Sequence, residues 1–402
     1  IRQLVNENKV DYNAPVEKYI PWFHTADASV ESKITINNLI NHTSGFSRNQ
    51  GIADYLYDGR YSTEDLVRKA TLIKPDNSIG TTEYSNLNYI ILGLVIEKVT
   101  NQPYEDYVKE NIFKPLNMNN SFFSDQEALT HSPAIGHSVR FGFLVPSKYK
   151  NYPKGAVPAG FAICSAEDFT HYMIAYLNNG YYNNISLIPN NSLAKPIDKT
   201  DIYKNGHYNI YWDIEQAPSL LGHSGADNYF YTSMLINPNL KYGVITLTNS
   251  RSDGLTPDIT AASITNGIMN LLAHRNTAPL NTTSIAKAYY KYNTLFMVVA
   301  ILLLFQLIRL KNYKRRVTNS KINISLHFLI YLLINITLPI SLLIYSVSVE
   351  KIDFTKIVYR TQLYGIDYTS ILFLYMIIFL VIAITKTLSL CLIYKNRKTK
   401  VL

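Results

Sequence analysis

Three stretches near the end of the chain, residues 292–308, 322–349 and 368–385, contain no Asp, Glu, Lys or Arg. A helix that crosses a bilayer needs about 20 mostly apolar residues, with a range of roughly 17–25. Each stretch meets that requirement. Buried helices of a soluble core are the alternative, but three in succession with basic flanks fit a membrane better. The flanks are Arg309, Lys311, Lys314, Arg315, Arg316 and Lys321 after the first run, and Lys386, Lys395, Arg397, Lys398 and Lys400 toward the end. Basic residues next to spans mark the cytoplasmic side. The pattern therefore predicts spans near 292–310, 322–347 and 368–393, with residues 1–290 outside and the C-terminus inside. Lys386, near the end of the last run, can snorkel to the inner face; an intramembrane partner is the alternative.

Charge divides the chain the same way. Residues 1–290 carry 23 Lys and Arg against 26 Asp and Glu, whereas residues 291–402 carry 15 against 3. A basic excess confined to apolar text points to a membrane surface rather than to nucleic acid. No patch in the first 290 residues suits DNA or RNA. The two cysteines, Cys164 and Cys391, fall on opposite sides of this division, so the fold rests on a core rather than on disulfides. The nine histidines lack metal-binding spacing, and no glycine-rich phosphate loop appears, so neither metal nor other cofactor is expected. Two domains are expected, 1–280 and 281–402.

Within the first domain, Gly80-Thr-Thr-Glu-Tyr84-Ser85-Asn86 is a polar loop that runs into an apolar helix, predicted over 87–100. A rigid helix behind a polar loop is a good mount for a proton-transferring phenol and a substrate-gripping amide. Alone, Tyr-x-Asn is a weak signal, since most such triplets are surface turns. Before it, Thr35 is placed to cap a short helix that ends in the turn His42-Thr43-Ser44-Gly45. His42 beside Ser44 permits a catalytic pair; tying down the turn is the better account. Thr63 reads as the cap of another helix, residues 102–118 as a helix and exit turn, and Ser165 as the cap of a helix with Glu167 and Asp168 in its first turn. Adjacent carboxylates on a helix point apart, so capping explains that pair better than acid–base work. Residues 229–236 and 242–248 read as strands joined by Asn237-Pro-Asn-Leu, preceded by Leu221-Gly222-His223-Ser224-Gly225-Ala226. Residues 257–273 read as a closing helix.

Six blocks in order carry a resemblance: Leu39-Ile-Asn-His-Thr-Ser-Gly-Phe46, Tyr84-Ser-Asn86, Lys114-Pro-Leu-Asn-Met118, Pro158-Ala-Gly-Phe-Ala-Ile-Cys-Ser-Ala-Glu-Asp168, His223-Ser-Gly225 and Val244-Ile-Thr-Leu-Thr-Asn-Ser250. The region from residue 1 to about 275 resembles the β-lactamase-related serine hydrolases of the class C and penicillin-binding-protein type, including FmtA-like and esterase-like members. The resemblance implies an α+β fold, an antiparallel sheet flanked by helices. It also implies an enzyme acting on cell-wall D-amino-acid amides or esters or a related small molecule. Tyr84 would be the general acid or base, Asn86 would hold the substrate amide, and His223 would supply electrostatics near a substrate carboxylate. Ser224, Gly225 and Ala226 would line the substrate, with the Ala226 N–H an oxyanion donor.

The chain departs from the family at one point. The resemblance requires a Ser-x-x-Lys just before the helix end at Leu4-Val-Asn-Glu-Asn-Lys9, and none stands there. It would lie about ten residues before Ile1, within three turns of helix. Two expectations follow: the chain as given forms no acyl-enzyme, and the strand over 242–248 has an unpaired edge. A non-catalytic binding module and a protein whose spans carry the function are the other readings.

Overall fold

The computed structural model describes residues 1–27, 33–147, 153–187, 221–227, 229–252, 259–277, 282–310, 313, 337 and 368–398. It divides into two compact units. One comprises Ile1–His137, Pro146–Ser250 and Ile259–Leu280, and the other Ser138–Val145, Arg251–Asp258 and Asn281–Leu402.

The first unit is α+β, as expected. Helix α1 (Ile36–Ile40) is closed at its start by a capping box in which the Thr35 hydroxyl accepts from the Asn38 N–H. Helix α2 (Thr63–Ala70) starts one residue earlier than its sequence suggests. Its cap is Ser62, which pairs reciprocally with Asp65, and Thr63 is the first helical residue, buried. Helix α3 (Asn86–Thr100) runs through the core: Leu87, Ile90, Ile91, Leu94 and Val95 are all fully buried. It ends at Asn101 in the left-handed region, φ 56°, a conformation Asn tolerates. Gly93 on this helix is fixed by packing, since a Cβ there would stand 2.2 Å from Pro158 Cγ. The helix expected over 102–118 is divided into an α-helical piece, Tyr104–Val108, and a π-helical turn, Lys109–Phe113.

Helix α4 (Ala166–Leu177) is capped by Ser165, whose hydroxyl accepts from the Asp168 N–H. The Asp168 carboxylate is buried and accepts from the Asn120 N–H and the Ser121 hydroxyl, both at 2.7 Å. It ties two segments together, which agrees with a structural rather than an acid–base role.

Strands β1 (Leu221–Ala226), β2 (Tyr231–Asn237) and β3 (Tyr242–Thr248) form an antiparallel sheet in that order. Its register pairs His223 with Met234, Gly225 with Thr232 and Leu235 with Val244. The Asn237 side chain accepts from the N–H groups of Asn239 and Leu240, which fixes the β2–β3 turn and hence the register. Helix α5 (Ile259–Leu272) covers one face, where Met269 joins Leu235 and Val244 and the Thr265 hydroxyl donates to Thr246 at 2.7 Å. Helix α4 covers the other face, where a Cβ on Gly243 would meet Met173 Cε at 2.6 Å. Among the described residues β3 pairs with β2 alone, so its outer edge carries no strand, as expected.

In the second unit, helix α6 (Thr282–Leu310) and helix α7 (Tyr368–Lys398) pack through Leu303, Phe379 and Ile382. One helix among the described residues is long and apolar enough to cross a membrane, Tyr289–Leu310, with mean hydropathy 2.1. In α7 the apolar stretch is the shorter Ile377–Ser389. The span expected near 322–347 lies outside the described residues but for Thr337. Three spans are thus not what the described helices provide. Lys386 donates to Gln306 Oε1 at 2.6 Å, so its ammonium is paired across the two helices, the alternative to simple snorkelling.

Candidate active site

Two loops are laced together under Tyr84. Gly80 N–H donates to the Thr43 carbonyl at 2.9 Å, Glu83 N–H to the His42 carbonyl at 2.9 Å, and Asn77 N–H to the Gly45 carbonyl at 3.0 Å. Gly45 is required where it stands: its φ is +94°, and a Cβ would meet the Asn77 carbonyl oxygen at 2.5 Å.

His42 is the pivot of this lacing. It is buried and in the left-handed region, φ 56°, so its ring turns inward. Its Nδ1 receives two donors, the Ser85 backbone N–H at 3.2 Å and the Asn88 Nδ2 at 3.0 Å. The Ser44 hydroxyl donates in turn to Asn88 Oδ1 at 2.6 Å, which fixes the carboxamide with its NH₂ toward the ring. With two donors on Nδ1, the ring is neutral and its proton sits on Nε2. Burial removes hydration from the imidazolium and the nearby His223 opposes a second positive charge; together they bring the His42 pKa down to about 4. The ring lies 4.6 Å from the Tyr84 ring and stacks on Tyr89 at 5.2 Å. Burial in turn pushes the Tyr89 phenol up to about 12.

The candidate residues named from sequence occupy two places. Tyr84 lies against His42, and Asn86 is the first residue of α3. His223 lies on β1, close enough to His42 for its charge to be felt there, and the protein around it lowers its own pKa by desolvation. Its side chain remains exposed. Tyr84, His42 and His223 therefore form one neighbourhood. Ser224, Gly225 and Ala226 follow on the same strand, where alternation puts Ser224 and Ala226 on the face opposite His223 and Gly225. Gly225 has a reason of its own in the sheet, because a Cβ would meet Thr232 Oγ1 at 2.7 Å.

Asn88 is not singled out by the sequence, and His42 reads there as tying down its turn rather than as part of a site. The available signal was a polar Asn88 one step inside the apolar run of α3, and a His-Thr-Ser-Gly turn facing it. Ser85, between Tyr84 and Asn86, is fully buried, and its hydroxyl has no hydrogen-bond partner among the described residues. A buried hydroxyl left unpaired costs about 1–3 kcal/mol. Ser85→Ala is therefore expected to leave stability unchanged or raise it by up to that amount. Urea unfolding measures this, and a loss of more than about 1 kcal/mol would show that the hydroxyl is paired.

The beta-lactamase family model matches residues 1–264. This chain belongs to the beta-lactamase family. Its domain has the corresponding fold, and relatives in the family are serine hydrolases, as the resemblance implied. Protein flp of Staphylococcus aureus (strain MW2) is 26% identical over 310 residues, covering 75% of this chain and 58% of flp. A putative D-alanyl-D-alanine carboxypeptidase of Salmonella typhi is 26% identical over 264 residues, covering 56% of this chain and 60% of that protein. The chain thus spans less than two thirds of either relative. Among solved structures, the octameric penicillin-binding protein homologue from Pyrococcus abyssi superposes with a TM-score of 0.51 at 24% identity, covering 68% of this chain and 63% of that one, a likeness of fold.

Proposed function

We propose that this protein is a membrane-anchored, extracytoplasmic serine hydrolase that acts on cell-wall D-amino-acid amides or esters. The observation that carries the reading is the Tyr84 phenol seated against a buried imidazole held neutral, with a second imidazole, His223, nearby. A phenol flanked by neutral rather than anionic groups keeps its proton available for transfer. In this reading Tyr84 passes a proton between the attacking hydroxyl and the leaving group, and proton transfer by a positioned side chain contributes roughly 10²–10⁴-fold. Asn86, mounted on the rigid start of α3, orients the substrate amide. His223, on the exposed rim of β1, supports binding of a substrate carboxylate. Gly225 and Ala226 supply strand backbone to the acyl group, with the Ala226 N–H facing the developing oxyanion. The name of the Salmonella relative supports the D-alanyl substrate class.

The anchor is supported by the length and hydropathy of Tyr289–Leu310 and by apolar side chains that remain exposed along α6 and α7, such as Ile301, Ile308, Leu380 and Leu388. The basic excess after residue 310 supports an extracytoplasmic hydrolase domain and a cytoplasmic C-terminus.

The test is made on the full-length protein in membranes. The sequence encoded upstream of Ile1 is read for Ser-x-x-Lys, and the protein is exposed to a fluorescent penicillin and to a general serine-hydrolase probe. Covalent labelling is expected, and Tyr84→Phe is expected to slow it by roughly 10²–10⁴-fold. If the serine is present and neither probe labels it, the enzyme reading fails in favour of a binding module.

A further inference from the structure

The second unit contains a hairpin that its own fold leaves uncovered. Strands His137–Arg140 and Phe143–Pro146 are hydrogen-bonded neighbours. They are joined by Phe141 and Gly142, at φ 54° and 88°. Two successive residues with positive φ make the tight turn suited to a two-residue hairpin. A strand that packs on a domain buries alternate residues, because its side chains point to opposite faces in turn. This strand buries neither set: Phe143 is 73% exposed, Leu144 63% and Val145 40%. Three consecutive large apolar residues exposed at a turn point to a contact outside the fold.

What the tip rests on says which contact. Asn293 Nδ2 donates to the Phe141 carbonyl at 2.9 Å, and Gly142 lies over the Tyr289 ring, a Cβ there being in ordinary contact at 3.6 Å. Both partners are at the start of the apolar run Tyr289–Leu310. The sequence at that point, Tyr289-Tyr290-Lys291-Tyr292, is an aromatic cluster of the kind found where a span meets water. Tyr290 is 76% exposed. The hairpin is thus pinned at the level where the helix enters the lipid.

We propose that the tip, residues 141–145, is an interfacial membrane contact, with Phe143, Leu144 and Val145 lying in the headgroup layer of the bilayer that α6 enters. This rests on the reading of α6 as a membrane anchor. The occupant is lipid rather than a second protein, because the tip is continuous with the aromatic entry of the apolar helix. The hairpin then gives the chain a second, shallow hold on the membrane, formed by residues more than a hundred positions before the span.

The test uses the full chain carrying Cys164→Ala and Cys391→Ala, with one new cysteine labelled by an environment-sensitive fluorophore. Leu144→Cys reports the tip, and Leu304→Cys, an exposed position within α6, reports the anchor. The protein is reconstituted in phosphatidylcholine and phosphatidylglycerol vesicles bearing a doxyl quencher at carbon 5 or carbon 12 of the acyl chain. The label at 144 is expected to lose more intensity to the shallow quencher than to the deep one, and to be shielded from aqueous iodide. The label at 304 is expected to show the opposite depth order. If 304 is quenched by lipid while 144 is open to iodide, the tip lies in water, and the inference fails with the anchor intact. If 144 is shielded from iodide but untouched by either lipid quencher, protein covers it, and the inference again fails. If 304 itself escapes both lipid quenchers, the anchor reading falls and the inference falls with it.

Discussion

Gly51→Ala is expected to disable the candidate site without replacing any residue in it. Gly51 ends the short helix Arg48–Gly51, and an added Cβ would stand 2.5 Å from the Asn86 backbone nitrogen, 2.6 Å from Ser85 Oγ and 2.9 Å from Ser85 Cα. Two of those atoms are backbone, so the strain cannot be relieved by a rotamer. The Tyr84-Ser85-Asn86 loop must move, and with it the start of α3. Overpacking of this kind costs about 1–3 kcal/mol. Displacing positioned groups by about 1 Å costs about 10²-fold in rate. Urea unfolding and hydrolysis by the full-length protein measure the two effects. Gly267→Ala is the control: nothing lies within 4 Å of its Cβ position in the interior of α5. There the exchange is expected to stabilise by about 0.5–1 kcal/mol, since alanine loses less backbone freedom than glycine. Adding Ser85→Ala to Gly51→Ala should recover part of the loss and no more, because the contact with the Asn86 nitrogen remains. Equal stability of Gly51→Ala and the parent would refute this account of the loop.

Stability of the beta-lactamase-family domain is expected to fall steeply with acid, with His42 as a main cause. Unfolded, its imidazole takes up a proton near pH 6.5; folded, it does so only near pH 4. Between those values the unfolded chain holds more protons, so stability rises with pH and is lost as pH falls through this window. A shift from 6.5 to about 4 corresponds to about 3 kcal/mol at most. His223, also lowered by desolvation, acts in the same direction. Among the described residues Tyr84, Tyr89, His223 and the donors Ser85 and Asn88 face His42, and none of these five is a carboxylic acid that would welcome the imidazolium. His42→Asn preserves the left-handed backbone, which Asn adopts readily, but gives up both ring contacts. At pH 7 it is expected to lose stability by about 2–4 kcal/mol, in the range of large-to-small core changes. Its unfolding free energy should then vary less between pH 6.5 and 4.5 than that of the parent. An unchanged slope would mean that His42 takes up its proton at the same pH in the folded and the unfolded chain.

Much of the beta-lactamase-family domain could be read from local signals. The Thr35 and Ser165 caps, the α3 helix and the Asn237 turn depend on contacts within three or four residues, and sequence shows those directly. Short-range competition produced the small errors. Ser62 and Thr63 can both cap, and the reciprocal bond with Asp65 chose Ser62. The apolar spacing over 102–118 fits one helix and could not reveal that its middle turn, Lys109–Phe113, is π-helical. In the second unit, charge-free text suggested three spans with the first the shortest, but the helix at 368–398 carries its apolar residues in a shorter stretch than the helix at 282–310.

The order of the motif blocks was enough to identify the family, because residue type and spacing survive where pairwise contacts cannot be seen. It named Tyr84, Asn86 and His223 one by one. It could not show that His42 sits under Tyr84 as a neutral acceptor, since that state comes from burial and from donors 43 and 46 residues away along the chain. Nor could it show that Gly51 and Gly225 are glycines because of Asn86 and Thr232. Protonation state and steric room are properties of what surrounds a side chain, and folding alone assembles those surroundings.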